Sequence, residues 1–369
     1  MAVHRPFCVL AAGALFVAAA QAQIGDKAGE AQAPLVPPAL IPPAPALSPQ
    51  EELATFKVAP GYRVELVAAD PLIGDPVFAT YGPDGRLWVV EMRGYMPDVD
   101  GSREDVPQGR VVVLSDTDGD GRMDKREVFL DGLLLPRALL PTRGGALVGA
   151  PPFLWFCKDM DGDGRADLRE VVAADFGAAV DPAHPYKANP ERAPNSLLWG
   201  HDNWIYAGAY AARFRHVAGA WVRETDSFRG QWGLSQDDFG RLYHDSNSDQ
   251  LRADLVPARY YLGHPLYVTG PGTNFKVAAD QSVFPIRVNP GINRGYRPEM
   301  LREYRLKEFT AACAPWVYRG DLLSEAQGDA FVCEPAGNLI KRNRLVASST
   351  GTVQAVPAYD GQEFLASTD

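Results

Sequence analysis

One strand-turn-strand unit recurs along the chain and limits its fold more than any other feature. Four clear copies have the same order of short apolar run, tight turn and second apolar run. Their turns carry Asp-Gly, Gly-Gly, Asp-Asn and Phe-Gly at the same position. Such repeats are typical of β-propeller blades, whereas a β-sandwich is the alternative because its strands also alternate with turns. The shared turn position favours the propeller. The copies are VFATYGPDGRLWVVEMRG, ALLPTRGGALVGAPP, SLLWGHDNWIYAGAY and GLSQDDFGRLYHDSN.

A fifth, looser unit combines PWVYRGD with GDAFVCEPAGNLIKR, and long helical periodicity is nearly absent throughout. The fold class predicted from these patterns is all-β. The folded part, from about Ser48 to Asp369, is roughly twice the usual domain length, but all-β propellers of that size fold as one unit. We therefore expect a single propeller domain over residues 50–369.

The first 22 residues predict a cleavable signal peptide. Arg5 precedes an apolar run of about fourteen residues, and Ala20-Gln21-Ala22 provides a small-residue cleavage site. Residues 23–49 are too rich in proline for a helix or a central strand, which predicts an extended linker. No other stretch is long and apolar enough to cross a bilayer. The sequence thus predicts an exported, periplasmic or extracellular protein without a transmembrane span after signal cleavage.

The formal net charge of -10 disfavours nucleic acid and anionic membrane surfaces as partners. Loss of the signal would also remove Cys8, leaving Cys157, Cys313 and Cys333. In an exported chain, a Cys313–Cys333 disulfide and two separately buried thiols are both open interpretations. The oligomeric state is not predictable from these features.

Two Asp-rich segments, DTDGDGRMDKRE at 116–127 and DMDGDGRADLRE at 159–170, are near-copies of one another. Each has Asp at positions one, three, five and nine, Gly at six and Glu at twelve. This spacing lets alternate carboxylates converge on one Ca²⁺, with the carbonyl of position seven as a further ligand. The predicted metal ligands are Asp116, Asp118, Asp120, Arg122, Asp124, Glu127, Asp159, Asp161, Asp163, Arg165, Asp167 and Glu170.

Plain Asp-Gly hairpin turns are the alternative explanation of both segments, but they do not account for the additional aspartates. The flanks RVVVLS and EVFLDG are short and β-branched, so we expect calcium loops within β-hairpins rather than between helices. In that setting Glu127 and Glu170 are the weakest ligand candidates. The loops begin 43 residues apart, close to the length of one blade, which places them on neighbouring blades.

Polar residues follow the second strand of each unit and precede the first. If the tight turns mark one face of the propeller, these residues gather around the axis on the opposite face. A solvated loop rim is the competing interpretation. The predicted rim residues are Glu91, Arg93, Tyr95, Arg137, Arg192, Asn195, Tyr210, Arg229, Gln231, His244, Asp245, Asn247, Glu334 and Asn338.

The chain resembles the N-terminal propeller of the membrane-bound dehydrogenase family of planctomycetes and verrucomicrobia, which is similar to the glucose/sorbosone dehydrogenases. The resemblance extends from about Thr55 to Asp369. It is carried by FKVAPGYRVELVAADPLIGDPVFATYGPDGRLWVVEMRGY, both Asp-rich loops, NSLLWGHDNWIYAG, and CAPWVYRGDLLSEAQGDAFVCEPAGNLIKR. It implies a six-bladed propeller that holds calcium and pyrroloquinoline quinone (PQQ) and oxidises a sugar or polyol outside the cytoplasm.

Such oxidation needs a base, a cationic cradle for the carboxylates of PQQ, and a metal that polarises its carbonyls. The resemblance assigns cofactor binding to Arg192, Asn195, Arg229 and Gln231, and catalysis to His244 and Arg229. The His-Asn-Gly stretch in which relatives carry the base falls here at ERAPNSLLWG, which contains no histidine. The alternative function is therefore a non-catalytic propeller that binds carbohydrate or a protein partner.

The family's sixth hairpin normally follows EFLASTD, at residues 363–369, and the early segment RVELVAAD would complete the last blade. The resemblance therefore implies a six-bladed type of propeller whose last blade is largely missing. An open ring of this kind would expose an unpaired strand edge.

Overall fold

The computed structural model describes residues 35–98, 102–142, 144–177, 193–264, 270–289, 298–349 and 351–369. It begins with a 3-10 helix at Pro38–Leu40, a short helix α1 (Pro49–Thr55) and a strand β1 (Phe56–Val58). A capping box starts α1. The Ser48 hydroxyl accepts the Glu51 N–H at 3.3 Å, and the Glu51 carboxylate accepts the Ser48 N–H at 2.8 Å.

The strands of the described residues form an all-β propeller of five blades, and the sheets of blades 1 to 4 are four-stranded antiparallel meanders. Blade 1 contains β2 (Pro76–Tyr81), β3 (Leu87–Glu91), β4 (Gly109–Ser115) and β5 (Lys125–Leu133). Blade 2 contains β6 (Ala138–Thr142), β7 (Gly145–Ala150), β8 (Phe153–Lys158) and β9 (Leu168–Ala173). Blade 3 contains β10 (Asn195–Trp199), β11 (Ile205–Gly208), β12 (Ala212–Val217) and β13 (Ala220–Thr225).

Blade 4 contains β14 (Ser235–Gln236), β15 (Leu242–Ser246), β16 (Asp249–Ala253) and β17 (Phe275–Lys276). A small pair, β18 (Leu301–Arg302) and β19 (Arg305–Leu306), precedes blade 5. Blade 5 contains β20 (Cys313–Val317), β21 (Ala330–Glu334), β22 (Leu339–Ala347), β23 (Val353–Pro357) and β24 (Leu365–Ser367). Further 3-10 turns lie at Ala258–Tyr260, Pro298–Met300, Ser324–Ala326 and Pro335–Gly337.

The expected six-bladed type, with its last blade largely missing, was wrong, because the described strands form five blades. The N-terminal strand β1 pairs with β24, which also pairs with β22. Both ends of the described chain therefore belong to the sheet of blade 5. The hairpin units that the sequence identified correspond to the first two strands of each blade.

The segment RVELVAAD, residues 63–70, was expected to complete the last blade but contains no strand. It lies against blade 1 instead. The Val67 carbonyl accepts the Met123 N–H at 2.9 Å, and Ala68 packs beside the buried Val112 and Leu114. This contact with the β4–β5 hairpin accounts for the different position of the segment.

Alternating side chains on the central strands build the core between adjacent blades. On β4, Val111 and Val113 face blade 2, whereas Val112 and Leu114 face the opposite side of the sheet. Similar clusters lie between blades 2 and 3, between blades 3 and 4, and between blades 4 and 5. Each blade is thus held mainly by apolar contact with its neighbours.

In blade 1, the strand register places the tight turn at one face of the propeller and the predicted rim residue Glu91 at the other. Leu87, next to the blade 1 turn, pairs with Leu114, and Glu91 at the far end of β3 pairs with Arg110. The loop that follows Ser115 therefore emerges on the face of the tight turns. We call this side the turn face and the opposite side the axial-rim face.

The predicted signal peptide and the first part of the linker, residues 1–34, lie outside the described residues. The rest of the linker packs on the propeller. Val36 is buried, and Arg287 Nη2 donates to the Pro42 and Pro43 carbonyls at 3.5 and 3.4 Å. Among the described residues, none of the helices has the length and apolarity to span a bilayer.

Leu147→Ala should lower the free energy of unfolding by about 2–5 kcal/mol, because it leaves a cavity between blades 2 and 3. Leu147 is fully buried in that cluster. Chemical denaturation monitored by tryptophan fluorescence measures the change. Leu322→Ala is the control. Leu322 is 92% exposed, and its truncation should shift stability by no more than roughly 0.5 kcal/mol. Equal effects of both substitutions would contradict this position of the core.

Candidate functional site

The first Asp-rich loop connects β4 to β5 on the turn face. Asp116 accepts the N–H groups of Gly119 at 2.7 Å and Gly121 at 2.9 Å. Asp118 accepts the Asp120 N–H at 3.2 Å, and Asp120 accepts the Arg122 N–H at 2.8 Å. The loop is thus folded around its own carboxylates.

The second loop connects β8 to β9 and repeats this geometry. Asp159 accepts the N–H groups of Gly162 at 2.7 Å and Gly164 at 2.9 Å. Asp161 accepts the Asp163 N–H at 3.2 Å, and Asp163 accepts the Arg165 N–H at 2.8 Å. The two sequence repeats are therefore also structural repeats on neighbouring blades.

The glycines at position six make this wrapping feasible. Gly121 and Gly164 both have φ of +89°, a conformation that side chains with a Cβ rarely adopt. Their N–H groups are the strongest influence on the carboxylates at position one. They lower the pKa of Asp116 and of Asp159 below the usual range. Both carboxylates are thus held in the ionised form that a cation requires.

Each loop brings carboxylate oxygens together. In the first loop one oxygen each from Asp116, Asp118 and Asp120 lies within 4.8 Å of the others. In the second loop the corresponding group consists of Asp159, Asp161 and Asp167. These sets contain positions one and three in both loops, with position five or nine as the third member.

The aspartate at position nine joins the converging carboxylates only in the second loop, and the cause is local. In the first loop both Asp124 oxygens accept the Thr117 hydroxyl at 2.8 Å, and Oδ2 also accepts the Thr117 N–H at 3.0 Å. The second loop has Met160 at the corresponding position, and its N–H donates to Asp167 Oδ2 at 2.8 Å. Methionine has no hydroxyl, so Asp167 is less tightly bound within its loop and joins the converging carboxylates.

The glutamates at position twelve belong to neither set of converging oxygens. Glu127 pairs with Lys125 Nζ at 3.1 Å and lies 3.8 Å from Arg86 Nη1. It faces the second loop, since a Cβ at Gly164 would lie 3.4 Å from Glu127 Oε1. Glu170 is exposed on β9. The assignment of both glutamates as ligands stays a prediction. The same holds for the assignment of the Arg122 and Arg165 carbonyls as ligands.

On the axial-rim face, Asn195 and Gln231 come together, but their polar groups are already used. Asn195 is fully buried and donates to the Gln231 carbonyl at 2.5 Å, while its oxygen accepts the Gly233 N–H at 3.2 Å. The Gln231 side chain accepts the Asn247 N–H at 3.4 Å. This network ties the entrance of blade 3 to the entrance of blade 4.

Arg229 lies between blades 3 and 4 and is only 4% exposed. Its guanidinium bonds both oxygens of Asp226, at 2.5 and 3.0 Å, and Asp254 Oδ2 at 2.6 Å. Burial lowers the pKa of Arg229, but the two carboxylates outweigh burial and keep the pKa above its ordinary value. The arginine thus acts as an internal ion-pair centre. Arg192, its predicted companion, lies outside the described residues.

His244 is 1% exposed, and neither ring nitrogen has a hydrogen-bond partner among the described residues. Burial lowers its pKa to about 4, while Asp254 raises it and Arg229 and Arg252 lower it further. The imidazole is therefore neutral near pH 7. A side chain this deeply buried does not offer a nitrogen to a substrate at the surface.

Buried carboxylates are the main feature of the axial-rim face that the sequence patterns missed. Glu334 is fully buried and accepts the N–H groups of Thr310 and Ala311, both at 2.9 Å, and burial raises its pKa to about 6. Burial also raises the pKa of Asp245, whose Oδ2 lacks a partner within the described part of the chain. Their positions were predicted at this rim, but no sequence signal indicated burial.

Cys313 and Cys333 face each other across β20 and β21 as free thiols, and Cys157 is a buried free thiol on β8. Burial raises the pKa of Cys157 to about 12, which makes it unreactive near neutral pH. The pairing of Cys313 with Cys333 was one of two open interpretations of the sequence. The structure supports their proximity without a bond.

A family model described as "Domain of unknown function (DUF7133)" matches residues 48–369 of the chain. A search of curated proteins found no match.

The chain is also similar to several solved structures, including the following three. The PQQ domain of pyranose dehydrogenase from Coprinopsis cinerea is 12% identical, with 85% of this chain and 87% of that chain covered and a TM-score of 0.46. A calcium structure of a Trichoderma reesei carbohydrate-active enzyme of family AA12 is 10% identical, with 85% and 88% covered and a TM-score of 0.45. The periplasmic gluconolactonase of Pseudomonas aeruginosa is 14% identical, with 80% and 87% covered and a TM-score of 0.38. These similarities assign no role to any residue of this chain.

His244 should destabilise the protein in mild acid. Its pKa of about 4 in the folded state lies below the 6.5 of an unperturbed histidine. The unfolded state therefore binds more protons between these values. The resulting stability is present above pH 6.5 and is lost as the pH falls towards 4, by about 2–3 kcal/mol between pH 7 and 4.5.

Denaturant unfolding of His244→Leu at pH 7 and 4.5 tests this expectation. The loss of stability between the two pH values should be smaller than in the wild type by the stated amount. His201→Leu, which changes an exposed histidine of a turn, should keep the wild-type difference. An unchanged pH difference in His244→Leu would contradict a buried neutral imidazole.

Proposed function

The chain belongs to the DUF7133 family, and for this member we propose that the protein is an exported calcium-binding β-propeller that acts by binding rather than by catalysis. The observation that carries the proposal is the pair of Asp-rich loops, each of which brings three carboxylate oxygens within 4.8 Å of one another. Hard oxygen donors at this spacing suit Ca²⁺. Export is proposed from the signal-like residues 1–22.

Charge supports the calcium assignment. Each loop holds four aspartates within nine residues, and at this separation ionised carboxylates repel each other strongly unless a cation compensates them. The loop N–H groups satisfy only part of the acceptor capacity of the carboxylates. A divalent ion would bind the remaining lone pairs and remove the repulsion.

The second loop would give its ion an additional structural role. Its Ala166 N–H donates to the Phe129 carbonyl of β5 at 2.8 Å, which joins the loop of blade 2 to the outer strand of blade 1. An ion that orders this loop would therefore also stabilise the contact between the two blades. The first loop has a comparable bond to the chain before blade 1, from Met123 to Val67.

The described residues do not fit a PQQ cradle. Arg229 is saturated by Asp226 and Asp254, and the Asn195 amide is bonded to backbone groups. His244 is buried away from any surface where a substrate could bind. The calcium loops belong to blades 1 and 2, whereas these residues lie at blades 3 and 4. Quinone-dependent oxidation of a sugar, and the relation to membrane-bound dehydrogenases, therefore remain predictions of the sequence resemblance.

Calorimetric titration should detect two Ca²⁺ ions per chain, with dissociation constants of roughly 0.1–1 mM if the loops behave like extracellular calcium modules. Asp118→Asn and Asp161→Asn should each reduce the stoichiometry from two ions to one. At 10 mM calcium each occupied site should stabilise the fold by about 1.4–2.7 kcal/mol. Asp360→Asn, an exposed aspartate outside both loops, is the matched control. Absence of calcium binding to the folded wild type would refute the proposal.

PQQ should show no saturable binding to the calcium-loaded protein, because three predicted cradle residues, Asn195, Arg229 and Gln231, are already bonded to other groups of the protein. Absorbance titration with PQQ, followed by dye reduction with a panel of aldoses and polyols, measures both steps. Saturable binding together with sugar-dependent reduction would contradict the binding-only proposal. In that case Arg229→Ala and His244→Ala would be the informative variants.

A further inference from the structure

A cavity of about 660 Å³ opens on the turn face between blades 1 and 2. Blade 1 contributes the turn after β2 and the inner residues of β3 and β5, while blade 2 contributes the turn after β6 and the second Asp-rich loop. This volume lies within the range of small-molecule sites. Neither the sequence repeats nor the resemblance indicated a site here.

The second calcium loop forms one wall of this cavity. Asp159, Asp163 and Gly164 line it, and Glu127 lies opposite on blade 1. The first loop contributes only its last residue, Glu127, and none of its aspartates lines the cavity. An ion in the second loop would therefore border the cavity, whereas an ion in the first loop would not.

Among the described residues that line the cavity, carboxylates outnumber cations by four to two. An ion in the second loop would offset part of this excess, although two of its three converging carboxylates, Asp161 and Asp167, do not line the cavity. Arg86 is engaged by Asp84 at 2.7 Å and lies 3.8 Å from Glu127. Lys158, which is half-buried, forms no ion pair in the described part of the chain. A neutral ligand with many hydroxyl groups matches this surface, because hydroxyls can donate to the carboxylates and accept from Lys158.

An aromatic side chain completes the lining. Trp88 is 6% exposed, packs edge to face on Phe129 with ring centroids 4.8 Å apart, and has Arg86 over its ring at 5.9 Å. Its Nε1 has no hydrogen-bond partner among the described residues. The indole contributes apolar surface to the cavity wall beside Phe129.

We propose that this cavity is a calcium-dependent binding site for one sugar unit of a glycan. Neighbouring hydroxyls of the sugar would complete the ligand shell of the ion in the second loop, because Ca²⁺ takes six to eight oxygen ligands. Lys158 donates to a further sugar oxygen, Glu127 accepts a hydrogen bond from a sugar hydroxyl, and Trp88 with Phe129 forms the apolar wall beside the sugar ring. The inference rests on the calcium proposal above and identifies the class of ligand.

Saturation-transfer-difference NMR tests the site with glucose, mannose, galactose, fucose and N-acetylglucosamine as probes. Each sugar is measured with the full chain in 10 mM calcium and again after chelation with EDTA. At least one sugar should give a signal that calcium supports and EDTA abolishes. Calorimetric calcium titration of the same sample reports the occupancy of the loops independently.

Lys158→Ser is the diagnostic variant, since serine occupies the equivalent position of the first repeat as Ser115. It should weaken sugar binding about tenfold, through loss of a charged hydrogen bond, and leave two calcium ions bound. Lys276→Ser, which changes an exposed lysine of β17 on blade 4, should retain the sugar signal.

Three results would overturn the inference. Two bound calcium ions without a signal from any of the five sugars would refute the sugar site and leave the proposed function intact. A sugar signal that survives EDTA or is unchanged in Lys158→Ser would place the binding elsewhere. Failure to bind calcium would refute this site and the proposed function together.

Discussion

Crowded carboxylates in two hairpin loops are the constraint on which the turn face of this propeller depends. The loop N–H groups orient Asp116 and Asp159 and lower the pKa of both carboxylates, which supports the proposal that the loops bind a cation. Each loop also bonds to a neighbouring segment, through Met123 to Val67 and through Ala166 to Phe129. Neutralising the loop charge is therefore coupled to the packing of the first two blades.

The two faces of the propeller use their polar residues differently. On the turn face, carboxylates converge while retaining free acceptor capacity, and a cavity opens beside one loop. At blades 3 and 4, two of the predicted rim residues are bonded to other groups of the protein. Arg229 joins Asp226 and Asp254, and Asn195 joins the backbone around Gln231. These two residues thus hold neighbouring blades together.

Local patterns were sufficient for much of the fold. The hairpin repeats correctly indicated propeller blades, and the Asp spacing correctly indicated hairpin loops whose carboxylates converge, because both depend on neighbouring residues. The predicted number of blades was wrong because it depends on long-range pairing. The pairing of β1 with β24 joins residues about 310 positions apart, which local patterns do not show. The partners of Arg229 and the burial of Glu334 depend on similar long-range packing. The two loops differ in the third carboxylate of the converging set because the first loop has Thr117 where the second has Met160. The sequence contains this difference, but its effect depends on the hydrogen bonds of the side chains.

Anomalous diffraction from crystals grown in calcium would test the central claim most directly. Data collected at a wavelength long enough for a calcium signal should contain two strong peaks per chain, one among Asp116, Asp118 and Asp120 and one among Asp159, Asp161 and Asp167. The peaks should disappear from crystals grown with EDTA. Well-ordered loops without peaks, or a calcium peak only on the axial-rim face near Arg229, would contradict the account.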